Sequence, residues 1–390
     1  MRISFFTDTY FPNLDGVVVA IQNYRRELER RGHEIEVFAA GSAEAARLNE
    51  DPHVHFFEGF SFPSYPQYKI AFNPFAAKKI VRDRGFDLVH CHAMASMGFA
   101  AIKTARDLRL PLVGTFHTLL PAGTHYITHN KRGQEIISRI AWHSIKHFYK
   151  PFDVVTAPSK VIVEMLAEHG VDEDKLRVVP NGIDLKSFRC KHDHAKARKA
   201  LGFRARDKVV LFAGRVTEEK HVDLIVRSAK QVIRSVPSVK FLIVGDGPFK
   251  STVEVLVAEN GLNDRFVFKG AVPHSRMPFF FSVADVNVCP STFDTYGLSI
   301  VEGMACGVPC VGARAYAIPE IVRDGCNGFL FEPNNPKDFA DKLTRLLLMS
   351  SRQARKMREQ AVATARLHSL SKAVDLLEGV YESVSRKKFF

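Results

Sequence analysis

Apolar residues run along this chain in short unbroken blocks separated by amphipathic stretches, a pattern that alternates strand with helix. Ile3 to Thr7 is the first block, and Asp8 to Gly16 is rich in turn residues. Val17 to Arg31 carries apolar positions at helical spacing, Gly32 stops that helix, and Glu34 to Ala39 is the next strand. Asp87 to His90 ends another strand, Met97 to Asp107 is a helix, and Leu112 to Phe116 and Asp153 to Ala157 are further strands. After Pro180-Asn181-Gly182 a second series begins. Its strands are Val209–Ala213, Lys240–Val244, Phe266–Phe268, Asp285–Cys289 and Pro309–Val311; its helices are Val222–Ser235, Phe249–Asn260, Arg276–Val283 and Leu298–Cys306. A helical tail spans roughly residues 336–386.

Continuous apolar strands alternating with helices predict parallel sheets covered on both faces. The fold class is therefore α/β, with two Rossmann-like parallel-sheet domains facing across a cleft. The length of 390 residues, at roughly 150 per domain, agrees with two or three domains. The expected boundaries are residues 1–188, with 371–390 returning to pack on that domain, and 189–370.

Charge adds one element to this picture. The formal net charge is +13, but residues 1–188 carry 23 Lys/Arg against 21 Asp/Glu, leaving 32 against 21 in the remainder. The excess sits in two segments: 189–208, with eight basic and two acidic residues, and 350–390, with nine against four. The first reads as a basic interdomain linker. No helix-turn-helix, zinc finger or aromatic RNA-binding strand accompanies the charge, so it reads either as a solvated basic surface or as a face for an anionic membrane surface or phosphate-bearing ligands, and no nucleic acid is expected. A basic nucleic-acid binder stays as an alternative class, marked by steeply salt-dependent association with DNA.

The longest stretch without a formal charge, 110–130, holds three His, two Pro and two Gly and cannot be a spanning helix. The first residues enter apolar structure at once, which predicts no leader. Six scattered cysteines with no CxxC predict reduced thiols and a cytoplasmic location.

Ligands of open α/β sheets bind beyond the strands' carboxyl ends, so candidate chemistry is sought there. Arg215 and Lys220 follow one strand; Arg offers a planar fork to phosphate oxygens and Lys a point charge. A surface pairing of these cations with Glu218 and Glu219 fits the same segment. Val244-Gly245-Asp246-Gly247-Pro248 resembles half of a dinucleotide fingerprint, with Lys250 where a third glycine would stand. The segment from Asp294 to Glu302 runs from a loop into a helix beginning near Gly297. The N–H groups of Gly297 and Leu298 lack helical partners and suit a phosphate, with Asp294 open to ligand hydroxyls; a capping Asp294 followed by a solvated Glu302 fits the same segment. Gly16 lets the backbone approach a phosphate at the first helix. His117 follows a strand, where a lone His is more often structural than a ligand contact. His90 and His92 have the spacing of a strand end and are expected to be structural.

Taken together these segments resemble the GT4-type (family 4) retaining glycosyltransferases of the GT-B fold. The resemblance rests on residues 10–17, Pro180-Asn181-Gly182-Ile183-Asp184, Gly214-Arg215 with Lys220, and Gly245-Asp246-Gly247-Pro248. It rests also on Asp294 and Glu302 with seven residues between them, followed by Met304-Ala305-Cys306-Gly307-Val308-Pro309. Asp294 stands where Glu is commoner, and Tyr296 where Phe is commoner. Residues 6–12 and 116–118 with His125 and Tyr126 look most like diacylglycerol glucosyltransferases and related lipid-directed enzymes.

The resemblance implies transfer of a hexose, with retention, from a UDP- or GDP-sugar to a membrane lipid such as diacylglycerol, without a cofactor or metal. It implies that Glu302 holds the ribose and Asp294 the donor sugar, while Arg215 and Lys220 neutralise the diphosphate. Gly16 and Gly247 would lie against the donor, Val272 near the base, and His117 would face the reacting sugar. A soluble sugar or polysaccharide acceptor is the alternative within the class; a nucleotide-sugar 2-epimerase is a further one.

Residues 60–84 combine six aromatics with five Lys/Arg, among them Lys69, against one Asp. Residues 125–150 carry Lys131, Arg132, Arg139, Lys146 and Lys150, with the only tryptophan, Trp142. Basic residues mixed with aromatics suit anionic lipid, which predicts peripheral attachment to the inner face of the membrane. The other arrangement is a helix packing Ile136, Ile140 and Phe148 inward beneath a solvated basic face.

Overall fold

The computed structural model describes residues 1–12, 15–62, 65–117, 130–189 and 194–386. Asn13, Leu14, Thr118, His125 and Tyr126 of the motifs above lie outside them. The chain forms two compact units, Met1–Gly182 with Leu370–Phe390, and Ile183–Ser369.

The first unit holds β1 (Arg2–Thr7), β2 (Glu34–Gly41), β3 (Val54–Phe62), β4 (Tyr65–Ala71), β5 (Leu88–Cys91), β6 (Leu112–Thr115), β7 (Val154–Ala157) and β8 (Leu176–Val178). They lie in the order β4-β3-β2-β1-β5-β6-β7-β8, parallel throughout except for the β3–β4 pair. The core strands are buried along nearly their whole length, as a sheet covered on both faces requires.

On one face the helix Gly16–Arg30 packs beside the last helix, Leu370–Arg386. Leu370, Ala373, Val374, Leu377, Val380, Tyr381 and Val384 recur at helical spacing and join one buried cluster with Ile3, Phe5, Tyr24 and Val37. Arg31 fastens the same helix, reaching Asp375 at 2.7 Å and Glu378 at 2.5 Å. Gly182 lies directly under this helix: a Cβ there would come within 2.8 Å of the Leu370 Cα.

The second unit holds β9 (Lys208–Ala213), β10 (Val239–Val244), β11 (Phe266–Phe268), β12 (Val286–Cys289), β13 (Cys310–Ala313) and β14 (Gly328–Phe331), all parallel, in the order β11-β10-β9-β12-β13-β14. The expected basic linker is part of this unit. His194–Ala200 is a helix, and Arg198 is buried, donating to Val283 O, Asp207 O and Asp285 Oδ2. Its charge is absorbed by acceptors rather than by solvent. The helical tail divides into Pro336–Leu347, Ser351–Leu367 and Leu370–Arg386. Cys91, Cys289, Cys310 and Cys326 are thiols, but Cys306 is disulfide-bonded, against the all-thiol expectation.

Candidate active site

In the second unit the strand order reverses between β9 and β12, and a doubly wound sheet opens a crevice beyond the carboxyl ends at such a point. The loops after β9 and β10 are locked together there. Gly214 N–H donates to Val244 O at 3.0 Å and Val216 N–H to Asp246 O at 2.9 Å. A Cβ on Gly245 would fall 1.8 Å from Gly214 O, and one on Gly247 2.3 Å from Val216 O. The packing of loop on loop thus requires a glycine at 247 whatever binds nearby. Arg215 lies partly exposed in the same loop.

The loop after β9 is also tied to the loop after β12. His221 Nε2 and Thr292 Oγ1 are 2.8 Å apart, and Thr292 N–H donates to Glu219 O at 3.3 Å. Between these ties Lys220 Nζ meets Asp294 Oδ2 at 2.9 Å and Phe293 O at 3.3 Å. Burial alone would lower the Lys220 pKa, but the Asp294 carboxylate outweighs it and holds the ammonium above its ordinary range. Burial works equally against ionised Asp294. It is outweighed by Lys220 and by the N–H groups of Tyr296 and Gly297, so the carboxyl lies below its usual value. Lys220 pairs with Asp294 rather than with Glu218 or Glu219.

Both oxygens of Asp294 are engaged, which corrects the expectation of an open carboxylate. Oδ1 accepts from Tyr296 N–H at 3.2 Å and from Gly297 N–H at 2.6 Å. Gly297 (φ 83°) caps the helix Leu298–Ala305, so its N–H, expected to face a phosphate, is committed within the chain. Among the described residues no partner is found for the N–H groups of Leu298 and Ser299, the first two of that helix. Glu302 is buried inside the helix, with Oε1 2.6 Å from His274 Nε2. Val272 lies two residues before His274, partly buried against a phenylalanine-rich cluster. The sequence reading missed His274, because no local pattern links it to a glutamate 28 positions on.

The first unit has its own reversal, between β1 and β5. Asp8, just past β1, is buried and accepts N–H bonds from Met94 (3.1 Å), Ala95 (2.7 Å) and Met97 (3.0 Å), fixing the loop after β5. Burial raises its pKa to about 6 in spite of these donors. Gly16 opens the helix Gly16–Arg30, and among the described residues nothing lies within 4 Å of where a Cβ would stand. The carboxylate of Asp15 accepts from Val17 and Val18 N–H, each at 2.9 Å.

His117 follows β6, and His92 follows β5 on the neighbouring strand. Their rings are stacked with His92 Nδ1 3.0 Å from His117 Nε2. His90 bridges Tyr381 OH and Thr115 Oγ1, each at 2.7 Å, and Thr115 Oγ1 meets Thr156 Oγ1 at 2.7 Å. Burial holds all three imidazoles below their ordinary pKa, His117 at about 4, so they are neutral near pH 7. Among the described residues no group of three or more His, Cys, Asp or Glu could hold a metal.

The basic surface residues fall on two parts of the first unit. Helix Lys131–Tyr149 exposes Lys131, Arg132 and Lys146 together with Ile136 and Ile140, which are 57% and 60% exposed. Of the three residues in the inward-packing arrangement, only Phe148 is buried. Trp142 is stacked at 3.8 Å on His169, which makes it a packing residue of this helix. Lys69 on β4 donates to Ser61 Oγ, and Phe60, Phe72, Phe75 and Phe99 are all exposed. Among the described residues no helix is long and apolar enough to cross a membrane.

The sequence pattern of Glycosyltransferase Family 4 matches residues 14–187, and that of Glycosyl transferases group 1 matches 193–366. A D-inositol 3-phosphate glycosyltransferase of Nocardia farcinica is 31% identical over 390 aligned residues, covering 95% of this chain and 84% of the relative. The chain belongs to the family 4 glycosyltransferases. An alpha-monoglucosyldiacylglycerol synthase of Streptococcus pneumoniae is 28% identical, over 85% of this glycosyltransferase and 75% of that protein. The fold is GT-B. Anabaena HepE, solved with UDP, superposes with a TM-score of 0.80 at 21% identity over 98% of this chain and 100% of its own. The same protein has been solved with UDP-glucose, with a TM-score of 0.79.

Proposed function

We propose that this glycosyltransferase moves a hexosyl group from a nucleotide-diphosphate sugar to a membrane lipid such as diacylglycerol, with retention and without a metal. The observation that carries the donor assignment is Lys220, held charged against Asp294 at the strand-order reversal of the second unit. In the reaction the C1–O bond to the diphosphate breaks, and the acceptor hydroxyl oxygen bonds C1 on the same face and gives up its proton to the departing diphosphate oxygen. The diphosphate leaves with added negative charge. Lys220, Arg215 and the N–H groups of Leu298 and Ser299 stabilise that charge, the role usually largest in such catalysis. Glu302 holds the ribose, with its Oε1 steadied by His274. Asp294 orients Lys220, Gly16 admits the donor phosphates, Val272 lies by the base, and His117 faces the reacting sugar. HepE, crystallised with UDP-glucose, supports a nucleotide-sugar donor.

The lipid acceptor is supported by the Streptococcus pneumoniae relative and by the exposed Ile136, Ile140, Phe60 and Phe72 beside Lys131, Arg132 and Lys69. These residues attach the protein peripherally to anionic membrane. A second reading, a soluble phosphorylated acceptor, is favoured by the Nocardia farcinica relative. Purified protein is given UDP-glucose or GDP-mannose with EDTA present, and either anionic vesicles containing diacylglycerol or D-inositol 3-phosphate. Products are read by mass spectrometry. Glycolipid in the vesicle arm supports the first reading; product in the soluble arm alone transfers the preference to the second. No product and no donor hydrolysis with either sugar rejects the donor assignment.

A further inference from the structure

On the reading of the Lys220–Asp294 crevice as the donor site, we infer that Tyr316 determines specificity for the transferred sugar: its phenol hydroxyl hydrogen-bonds a hydroxyl of the donor's hexose.

Tyr316 stands three residues past β13, the strand next to β12. Parallel register sets Cys289 of β12 beside Gly312 of β13, so the loops after both strands leave the sheet at one level. They are joined there. Ala317 N–H donates to Asp294 O at 3.3 Å, and the Tyr316 ring lies edge-on to Phe293, with ring centres 5.8 Å apart. Phe293 O in turn accepts from Lys220 Nζ. Tyr316 therefore packs on the segment that carries the Lys220–Asp294 pair.

The backbone at Tyr316 is left-handed, with φ 44°, a region unfavourable to a bulky side chain and open to glycine. Ala315 N–H donates to Ala313 O at 2.8 Å and Ile318 N–H to Ala315 O at 3.2 Å, and with the Asp294 tie these bonds hold the loop in that shape. Glycine at 316 would keep all three without strain. The other left-handed side chains have a local account. Arg109 closes helix Ser96–Leu108, His221 reaches Thr292, and Asn334 is of a type that tolerates the region. Tyr316 makes no such bond. Its ring is half-buried, and its hydroxyl reaches solvent with no hydrogen-bond partner among the described residues. Packing on Phe293 uses the ring and leaves the hydroxyl without a role in the chain. Backbone strain kept beside a crevice, on a residue whose polar group the chain does not use, marks a ligand contact.

The chemistry suits a sugar. Both Asp294 oxygens are engaged by Lys220 and by the N–H groups of Tyr296 and Gly297, whereas the phenol is uncommitted. A phenol donates and accepts, as a sugar hydroxyl does, and brings no charge to compete with Lys220 for the diphosphate. Partial burial raises its pKa and keeps the donor proton in place.

The test compares the donor with its own leaving group on the full chain. With whichever of UDP-glucose and GDP-mannose the unsubstituted protein turns over, Tyr316→Phe should lower kcat/KM about tenfold, the effect of one neutral hydrogen bond. Inhibition by the matching nucleoside diphosphate, which lacks the hexose, should stay within twofold. Among the monodeoxy forms of that donor, one should be impaired with the unsubstituted protein and no further impaired by Tyr316→Phe. Retention of kcat/KM within twofold by Tyr316→Phe overturns the inference. Equal losses for donor and diphosphate also overturn it and make the tyrosine a packing residue of the loop. Failure of the unsubstituted protein to bind or turn over either nucleotide sugar instead overturns the donor reading, and this inference with it.

Discussion

Removing the Lys220 ammonium while keeping its stem, as in Lys220→Met, leaves the Asp294 charge without its partner. At 2.9 Å, and with an effective dielectric constant of about 20, the gross attraction is about 6 kcal/mol. Desolvation of the two partly buried groups cancels most of it. Asp294 also keeps its bonds from Tyr296 and Gly297 N–H, so the expected loss of stability is about 2 kcal/mol. Asp294→Asn should cost less, about 1 kcal/mol, because the amide oxygen still accepts from the loop and Lys220 retains Phe293 O. A double-mutant cycle should return a coupling of about 1–2 kcal/mol. The folded Asp294 pKa is below its ordinary 3.8 and that of Lys220 above 10.5. The pair's contribution is therefore complete between those two ordinary values. It is lost only as pH falls through the folded pKa of Asp294 or rises through that of Lys220, so the coupling should match at pH 5 and pH 9. Urea unfolding followed by far-UV circular dichroism measures it. Fluorescence of Trp142, the single tryptophan, reads the first unit alone as an internal reference. Single losses that add within about 0.5 kcal/mol would show that the two groups are adjacent without being coupled.

Below pH 6.5 the first unit should weaken. His90, His92 and His117 stay neutral when folded but gain protons once unfolded, His117 alone contributing about 3 kcal/mol between 6.5 and 4. Asp8, raised to about 6, works in the opposite sense by about 3 kcal/mol and offsets only one histidine. The urea midpoint read by Trp142 should therefore fall from pH 7 to pH 4.5; a rise refutes the burial of neutral imidazoles. Gly245→Ala drives a Cβ into Gly214 O and should displace the Arg215 loop, lowering donor turnover at least tenfold at about 2 kcal/mol of stability; unchanged kinetics would separate that loop from the reaction. Tyr381→Phe leaves His90 Nδ1 without its donor and should cost about 1–2 kcal/mol in the fluorescence-detected transition, against no change if the bond is incidental.

The strands that the sequence makes plain are those buried on both faces, such as β9, apolar from Val209 to Ala213, and β1, whose apolar run is broken only by Ser4. β3 and β4 are hidden because residues 54–71 interleave aromatics with Ser61, Pro63, Pro66, Gln67 and Lys69, a composition that resembles exposed surface. The break between the tail helices is readable at Ser350, whose side chain and that of Gln353 form a reciprocal cap, a spacing present in the sequence. The basic stretch before β9 misleads because charge density says nothing about acceptors: Arg198 is buried by carbonyls that only the fold brings near it.

At the site, position was legible and partnership was not. Arg215, Lys220 and Asp294 stand in the loops beyond strand ends, and Glu302 in the helix that follows. The pairing of Lys220 with Asp294 joins residues 74 positions apart, and Glu302 with His274 joins residues 28 apart. His92 and His117 meet only because β5 and β6 are neighbours in register, a fact of sheet order that no motif carries.

The return of helix Leu370–Arg386 to the first unit sets a timetable for synthesis. The ribosome makes β1 to β8 first, then the 187 residues of Ile183–Ser369, and only then the helix that covers Ile3, Phe5 and Tyr24. At roughly 5–20 residues per second, that interval lasts about 10 to 40 s. Throughout it, the nascent first unit carries an uncovered apolar face, while the second unit, contiguous in the chain, can finish folding as soon as it emerges. The protein thus completes its later half before its earlier one, and the sheet of the first unit is the part of a growing chain that needs chaperone protection longest.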